Sequence, residues 1–299
     1  RDLRMSRGLG DVYKRQPMAL IHEGVGEVVF DNTGSFDVGD KVVMIPNTPT
    51  KEDEYISANY LPSSKFRGSG FDGFTSDLIQ LNPDRLVKLP DNFNLKISAF
   101  IELISVICHG IDRFEKIAIK HKNRFGVWGD GNLGYITALL LKEFYPESEV
   151  TVIGKHGENL NLFSFADKTY KFHEVPDDLA IDHGFECVGS NASQAAIDQI
   201  INTINPQGSI ILFGVSEYPI PINTRLILEK GLTIQGISRS ERKDFLKVVG
   251  LLKNNPNLFD SLDKLISEVV TIKSLNDLKE AFDKDYISGF GKTILVWDK

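Results

Sequence analysis

Cysteine is nearly missing from this chain. Cys108 and Cys187 are the only two in 299 residues and stand far apart, which excludes a disulfide framework and a four-cysteine zinc lobe and fits a reducing cytoplasm. Long apolar runs are missing too. None approaches the ~20 residues that a bilayer-spanning helix needs, so no membrane partner is expected. There is no basic excess: 34 Lys and Arg against 41 Asp and Glu leave a net charge of −7, which argues against a nucleic-acid or anionic-membrane surface. Internal repeats and low-complexity tracts are likewise absent. What is left is a chain with 41% hydrophobic residues, soluble and globular in composition, and long enough for two domains that each bury a core.

The strongest pattern lies between Arg124 and Lys142. A short apolar run from Phe125 to Trp128 enters Gly129-x-Gly131-x-x-Gly134, and Ile136, Leu139 and Leu140 follow at helical spacing. Strand, tight turn and helix in that order make a dinucleotide site: one glycine forms the turn, one admits a pyrophosphate to the backbone, and one lets the helix pack close to the strand. The helix N-terminus, at Asn132 and Leu133, offers free N–H groups and the positive end of its dipole. Three glycines in six residues also occur in ordinary loops. Here a second strand, Glu149 to Ile153, follows after one helix, as a βαβ unit requires. An NAD site usually ends that strand with an acid for the ribose hydroxyls, and this chain has Gly154, Lys155 and His156 instead. A carboxylate would repel a 2′-phosphate and Lys155 would attract one, so NADPH is expected; the alternative is that Lys155 and His156 form only a solvated turn.

Residues 1–16 do not read like the rest. They are basic, lack apolar periodicity and a signal-peptide core, and resemble translated adapter sequence at the ends of assembled environmental reads. A non-native scar is expected there rather than a basic arm, with the native N-terminus missing. From residue 17 onward, short β-rich runs at Gly26 to Phe30 and Val38 to Pro46 alternate with Gly, Asn and Asp turns, the pattern of a twisted, barrel-like antiparallel domain, with Asn47 to Phe66 as a surface loop. Helical spacing runs from Ser98 to Phe114 and carries Glu102 and His109. Further apolar strands at Phe185 to Gly189, Ser209 to Gly214 and Leu232 to Gly236 end near Gly or Ser, as at the carboxyl edge of a parallel sheet. The expected fold class is α/β: a Rossmann doubly wound parallel sheet over 98–257, and a β domain over 17–97 to which 258–299 returns through the strand Thr293 to Trp297.

Several strings, in order, resemble the zinc-dependent medium-chain dehydrogenase/reductase superfamily: His22-Glu-Gly-x-Gly26-x-Val28, Gly39-Asp-Lys-Val-Val43, Phe71-Asp-Gly-Phe74, Glu102-x-x-Ser-Val106, the glycine fingerprint and Glu186-Cys-Val-Gly189. More closely, Pro17-Met-Ala-Leu-Ile-His-Glu23, Val42-Val-Met-Ile-Pro-Asn47, Ser69-Gly-Phe-Asp-Gly-Phe74, Gly214-Val-Ser-Glu-Tyr218 and Ser238-Arg-Ser240 resemble the ribulose-5-phosphate reductases, over essentially all of residues 17–299. The resemblance implies a GroES-like β-barrel catalytic domain beside the Rossmann domain. It also implies NADPH-dependent reduction of D-ribulose 5-phosphate to D-ribitol 5-phosphate, with a catalytic zinc polarising the ketone. The product would feed CDP-ribitol for teichoic acids or capsule, with a cytidylyltransferase as possible partner and a homo-oligomer as the working form.

In the resembled family the metal is held by a cysteine, a His-Glu pair and a second glutamate, which here carry over as His22, Glu23 and Glu102. The cysteine has no counterpart; its place falls within residues 1–16, so the intact protein is expected to be the reductase, whereas the chain as it stands is expected to bind zinc poorly and turn over slowly or not at all. Adjacent His22 and Glu23 would face opposite sides of a regular strand, so either the strand bends or one residue sits behind the metal. His22 is the expected firm ligand and Glu23 an exchangeable or outer one. Taken singly, His22 reads as an interior histidine and Glu102 as an acid of a first helical turn. Arg239 is expected at the substrate phosphate, with Lys65 and Arg67 next, and an ordinary solvated arginine as the alternative; Val215 is expected beside the cofactor. Competing functions are a zinc polyol or amino-alcohol dehydrogenase on an unphosphorylated substrate, and a catalytically inactive NADPH-binding protein.

Overall fold

The computed structural model describes residues 18–287 and 289–298. The expected scar at residues 1–16 lies outside them. In chain order the elements are β1 (Val25–Glu27), β2 (Lys41–Met44), β3 (Asn47–Thr48), β4 (Lys65–Arg67), β5 (Gly70–Phe71), β6 (Leu86–Lys88), α1 (Leu95–Ser98), α2 (Ile101–Glu115), β7 (Arg124–Trp128), α3 (Asn132–Phe144), β8 (Glu149–Gly154), α4 (Gly157–Leu160) and β9 (Lys168–Lys171). They continue with β10 (Ile181–Glu186), α5 (Ser193–Thr203), β11 (Ile204–Leu212), α6 (Thr224–Lys230), β12 (Thr233–Gly236), α7 (Arg242–Asn254), α8 (Asn257–Asp263), β13 (Ile266–Ile272), α9 (Leu275–Ile287) and β14 (Lys292–Trp297). Among the described residues no helix is long and apolar enough to cross a membrane.

The described residues form two compact units, one from residues 18–106 together with those from Arg239 onward, the other from Ile107–Ser238. The expected boundaries are 97/98 and 257/258; the units part inside α2 and just after β12. A helix that continues through a boundary leaves no compositional sign of it.

Unit Ile107–Ser238 holds a six-stranded parallel sheet in the order β12-β11-β10-β7-β8-β9. Read from β7, this is the doubly wound arrangement, with the switch in strand order between β7 and β10. Strands β7, β8 and β10 are buried almost throughout, because helices cover both faces of such a sheet and each strand must be apolar on both sides. Ala196, Ile197, Ile200 and Ile201 of α5 pack with Trp128, Ile153, Ile181 and Ile210. Elsewhere in this unit, Phe114 meets Phe185 edge-on at 5.4 Å and His183 at 4.7 Å.

The other unit is built from small sheets. β1-β2-β6 are antiparallel neighbours, β3-β4-β5 form a second group, and β13 pairs with β14 in parallel. The stretch Asn47 to Phe66, expected to be a loop, contains β3 and part of β4; Asn47 is buried and accepts from Ser64 Oγ at 2.7 Å. β14 belongs to the same unit as β1.

Candidate active site

A break in regular structure gathers the residues expected to hold a metal. Ile21, just before His22, has a φ of +65°, in the left-handed region that a β-branched residue rarely enters. His22 then falls in a bend ahead of β1, so strand alternation does not separate it from Glu23. The strained backbone is held from outside. Gly73 N–H donates to Ala19 O at 2.8 Å, Phe74 N–H to Leu20 O at 2.9 Å and Ile21 O at 2.8 Å, and Leu20 N–H to Thr75 Oγ1 at 2.7 Å. A Cβ on Gly73 would stand 2.1 Å from Ile21 O, so only glycine permits this approach.

Glu102 reaches the same place from the first turn of α2. One ligand atom each from His22, Glu23 and Glu102 lie within 4.8 Å of one another, with Glu102 buried and the other two half-buried. An imidazole nitrogen and two carboxylates suit Zn2+, whose catalytic sites use three protein ligands and keep a position open. Glu23 also pairs with the ammonium of Lys292 on β14. Burial pushes the Glu23 carboxyl up, but the charges of Lys292 and His22 outweigh it and leave the group below the usual carboxylate range. Lys292 was not foreseen, because it meets Glu23 across 269 positions of chain. Cys108 is buried on α2.

Arg239 has a φ of +62°, and its guanidinium carbon lies 4.7 Å over the ring of Phe66. The same ring is 4.9 Å from the His22 imidazole. Arg67, an expected second choice for the phosphate, is committed otherwise: it donates to the carbonyls of Asp72 at 3.1 Å and Gln80 at 3.2 Å, and lies 5.0 Å over Phe71. Lys65 is exposed on β4.

In unit Ile107–Ser238 each fingerprint glycine has a distinct reason. Gly129 has a φ of +130°; Gly131 faces open space; a Cβ on Gly134 would be 1.9 Å from Gly129 O. Gly131 stands at the N-cap of α3 and has no side chain to cap it; the helix begins at Asn132 and Leu133. Gly154 ends β8, and the amides of Lys155 and His156 donate to Asp130, the former at 2.8 Å. Asp130, the middle residue of Gly129-Asp-Gly131, thus ties the glycine turn to the end of β8, a role that spacing did not reveal. Lys155 is exposed, and no ion pair engages its ammonium among the described residues.

Glu186 was likewise read only as part of a string. Its buried carboxylate accepts from the amides of Val188 at 2.9 Å, Gly189 at 3.0 Å and Gly214 at 3.0 Å and from Ser193 Oγ at 2.9 Å, joining the loops that follow β10 and β11. Val215, exposed in the second loop, accepts from Ser190 N–H at 2.7 Å. Loops held in place at the carboxyl ends of parallel strands can border a dinucleotide.

A sequence profile described as "Zinc-binding dehydrogenase" matches residues 163–254. The chain is 53% identical over 292 residues to ribulose-5-phosphate reductase 1 of Staphylococcus aureus, covering 98% of this chain and 86% of that protein. It is 49% identical over 293 residues to the ribulose-5-phosphate reductase of Bacillus spizizenii, again covering 98% and 86%. The solved structure of S. aureus TarJ in complex with NADPH matches with a TM-score of 0.88 at 48% identity, over 100% of this chain and 87% of that one.

Proposed function

The chain belongs to the ribulose-5-phosphate reductase family, and from that premise we propose that its residues divide the NADPH-dependent reduction of D-ribulose 5-phosphate to D-ribitol 5-phosphate into three holding tasks. The first is the cofactor. The Gly129–Gly134 turn and the N-terminus of α3, at Asn132 and Leu133, take the pyrophosphate, since the glycines let a phosphate approach the backbone and the positive end of the helix dipole favours an anion there. Gly154, Lys155 and His156 take the adenosine end, with the Lys155 ammonium placed for a 2′-phosphate, and Val215 lies along the same edge. When bound, NADPH supplies the hydride.

The second task falls to His22, Glu23 and Glu102, which hold zinc; when bound, the ion supplies the positive charge that polarises the ketone. Lys292 holds Glu23 in its ionised form, and the ion pair suits an outer or exchangeable role for Glu23 beside the firmer His22. Arg239 takes the third task, binding the substrate phosphate by its edge N–H groups. The observation that carries this reading is the gathering of His22, Glu23 and Glu102 within 4.8 Å, in a chain so similar to the reductases.

By family role, the product supplies CDP-ribitol for teichoic acid or capsule in the cytoplasm, where a cytidylyltransferase consumes it, and the working form is a homo-oligomer. Initial rates of NADPH oxidation test the core of the proposal, measured on residues 17–299 carried behind the N-terminal segment of a ribulose-5-phosphate reductase, with D-ribulose 5-phosphate compared with D-ribulose, before and after chelation and zinc return. The expected result is a strong preference for the phosphorylated ketose, lost on chelation and restored by zinc. Equal rates with D-ribulose would overturn the substrate assignment in favour of a polyol dehydrogenase.

A further inference from the structure

Phe66 has no group that can react, yet two groups of the proposed site meet on its ring. The His22 imidazole is 4.9 Å from it, tilted by 56°, and the Arg239 guanidinium carbon is 4.7 Å above it. Imidazole and guanidinium therefore stand within about 10 Å of each other, spanned by one rigid ring at cation–π distance from the arginine. The ring's own backbone is fixed, because β4 lies between β3 and β5, with Phe66 opposite Asn47 and Gly70.

Arg239 is fixed from its other end as well. The next residue, Ser240, is 3% exposed, with its Oγ 2.7 Å from Ser105 Oγ, and Ser105 donates to the carbonyl of Glu102 at 2.6 Å. Four described non-glycine residues have positive φ, and two of them are Arg239 itself and Ile21, the neighbour of His22. Such backbone persists only where its surroundings over-determine it. A ring takes the face of a guanidinium while a phosphate takes its edge, so the two contacts are compatible.

We propose that Phe66 is a positioning residue that sets the separation between the substrate's phosphate at Arg239 and its carbonyl beside His22, and so selects a ketose bearing its phosphate at the far end of a short chain. The proposal rests on the reading of Arg239 given above.

Steady-state kinetics test it, on the same form of the chain as above, using Phe66→Leu, Phe66→Tyr, Arg239→Ala and the Leu/Ala double variant. Phe66→Leu is expected to raise KM for D-ribulose 5-phosphate about five- to tenfold, the loss of one partly desolvated cation–π contact, with KM for NADPH and bound zinc unchanged. Its kcat should fall as well, by about tenfold, because a carbonyl no longer held at its distance from the phosphate is misplaced at the reacting atoms; an unchanged kcat would reduce Phe66 to a binding contact and overturn the positioning role. Phe66→Tyr, which keeps the ring, is expected to restore KM, and Phe66→Leu should add nothing in the Arg239→Ala background. If Phe66→Leu does not fold, Phe66→Met carries the same comparison, keeping bulk without a ring. An unchanged KM, or a full additional penalty on top of Arg239→Ala, would overturn the role of Phe66 while leaving Arg239 at the phosphate. An unchanged KM in Arg239→Ala alone would overturn the phosphate reading itself.

Discussion

Replacing Gly73 by Ala adds one methyl group where the backbone leading to His22 passes. The new Cβ would stand 2.1 Å from Ile21 O, 2.3 Å from Leu20 O and 2.6 Å from the Leu20 carbonyl carbon. A carbon and a carbonyl oxygen rest about 3.3 Å apart or more, so one backbone has to move by about 1 Å. No flexible side chain is available to give way. The movement works against the bonds from Gly73, Phe74 and Thr75 to Ala19, Leu20 and Ile21, each contributing about 1 kcal/mol net. Forced overpacking costs about 1–3 kcal/mol in total. Ile21 stays in the left-handed region because those bonds hold it there, so loosening them relaxes the bend and carries His22 away from Glu102. Two results are expected together: a stability loss of about 2 kcal/mol in the unit containing Gly73, and a fall in kcat/KM of about 10²-fold from a misplacement near 1 Å. Urea unfolding, bound zinc after graded chelation, and initial rates measure these. NADPH affinity serves as the control, since the fingerprint glycines belong to the other unit. A stable variant would refute the steric argument. A destabilised variant with full zinc affinity and turnover would refute the view that residues 72–75 position His22.

Gly134→Ala is expected to weaken NADPH binding about tenfold or more, because its Cβ would be 1.9 Å from Gly129 O and would push the N-terminus of α3 off the turn; fluorescence titration measures this, and an unchanged Kd contradicts it. Lys155→Ala is expected to raise KM for NADPH about tenfold and leave KM for NADH unaltered, the signature of a lost charge-assisted contact to the 2′-phosphate; equal effects on both would return Lys155 to a solvated turn. Burial pushes His183 down to about 4 from 6.5, against the opposing pull of the His121 carbonyl and Asp182, so the folded protein keeps it neutral, accepting from Ser209 N–H and donating to His121 O. Below pH 6.5 the unfolded chain binds a proton that the folded one does not. Its contribution is therefore complete above pH 6.5 and falls by up to about 3 kcal/mol as pH drops towards 4; urea unfolding across that window should show a shallower loss for His183→Gln.

The parts of this fold legible in the sequence are those whose causes are local. The glycine fingerprint is one: Gly129 takes its φ of +130° within the motif, and the atom that requires Gly134 to lack a side chain belongs to Gly129, five residues away. β9 went unread for the converse reason, since Lys168-Thr-Tyr-Lys171 is a short, mostly exposed edge strand with no apolar run to announce it. The strand expected at Phe185 to Gly189 is in fact Ile181–Glu186. Asp182 and His183 look like a break in an apolar pattern, yet both are buried and satisfied by distant partners: Asp182 accepts from the amides of Asn123 and Arg124, and His183 bonds to His121 and Ser209.

The candidate site divides along the same line. His22, Glu23 and Glu102 could be named from strings, but how two neighbours come to share one face could not, because the bend at Ile21 is imposed by residues 72–75. The pairing of Lys292 with Glu23 and the stacking of Arg239 on Phe66 also join segments far apart in the chain. Local rules fail most sharply at Ile21 and Arg239, where non-glycine residues hold positive φ, and both border the proposed metal and phosphate groups. A functional geometry that the local chain disfavours has to be enforced by tertiary contacts. Gly73, Phe66 and the Ser105–Ser240 contact are such enforcers, so substitutions there should damage substrate handling more than their distance from the reacting atoms suggests.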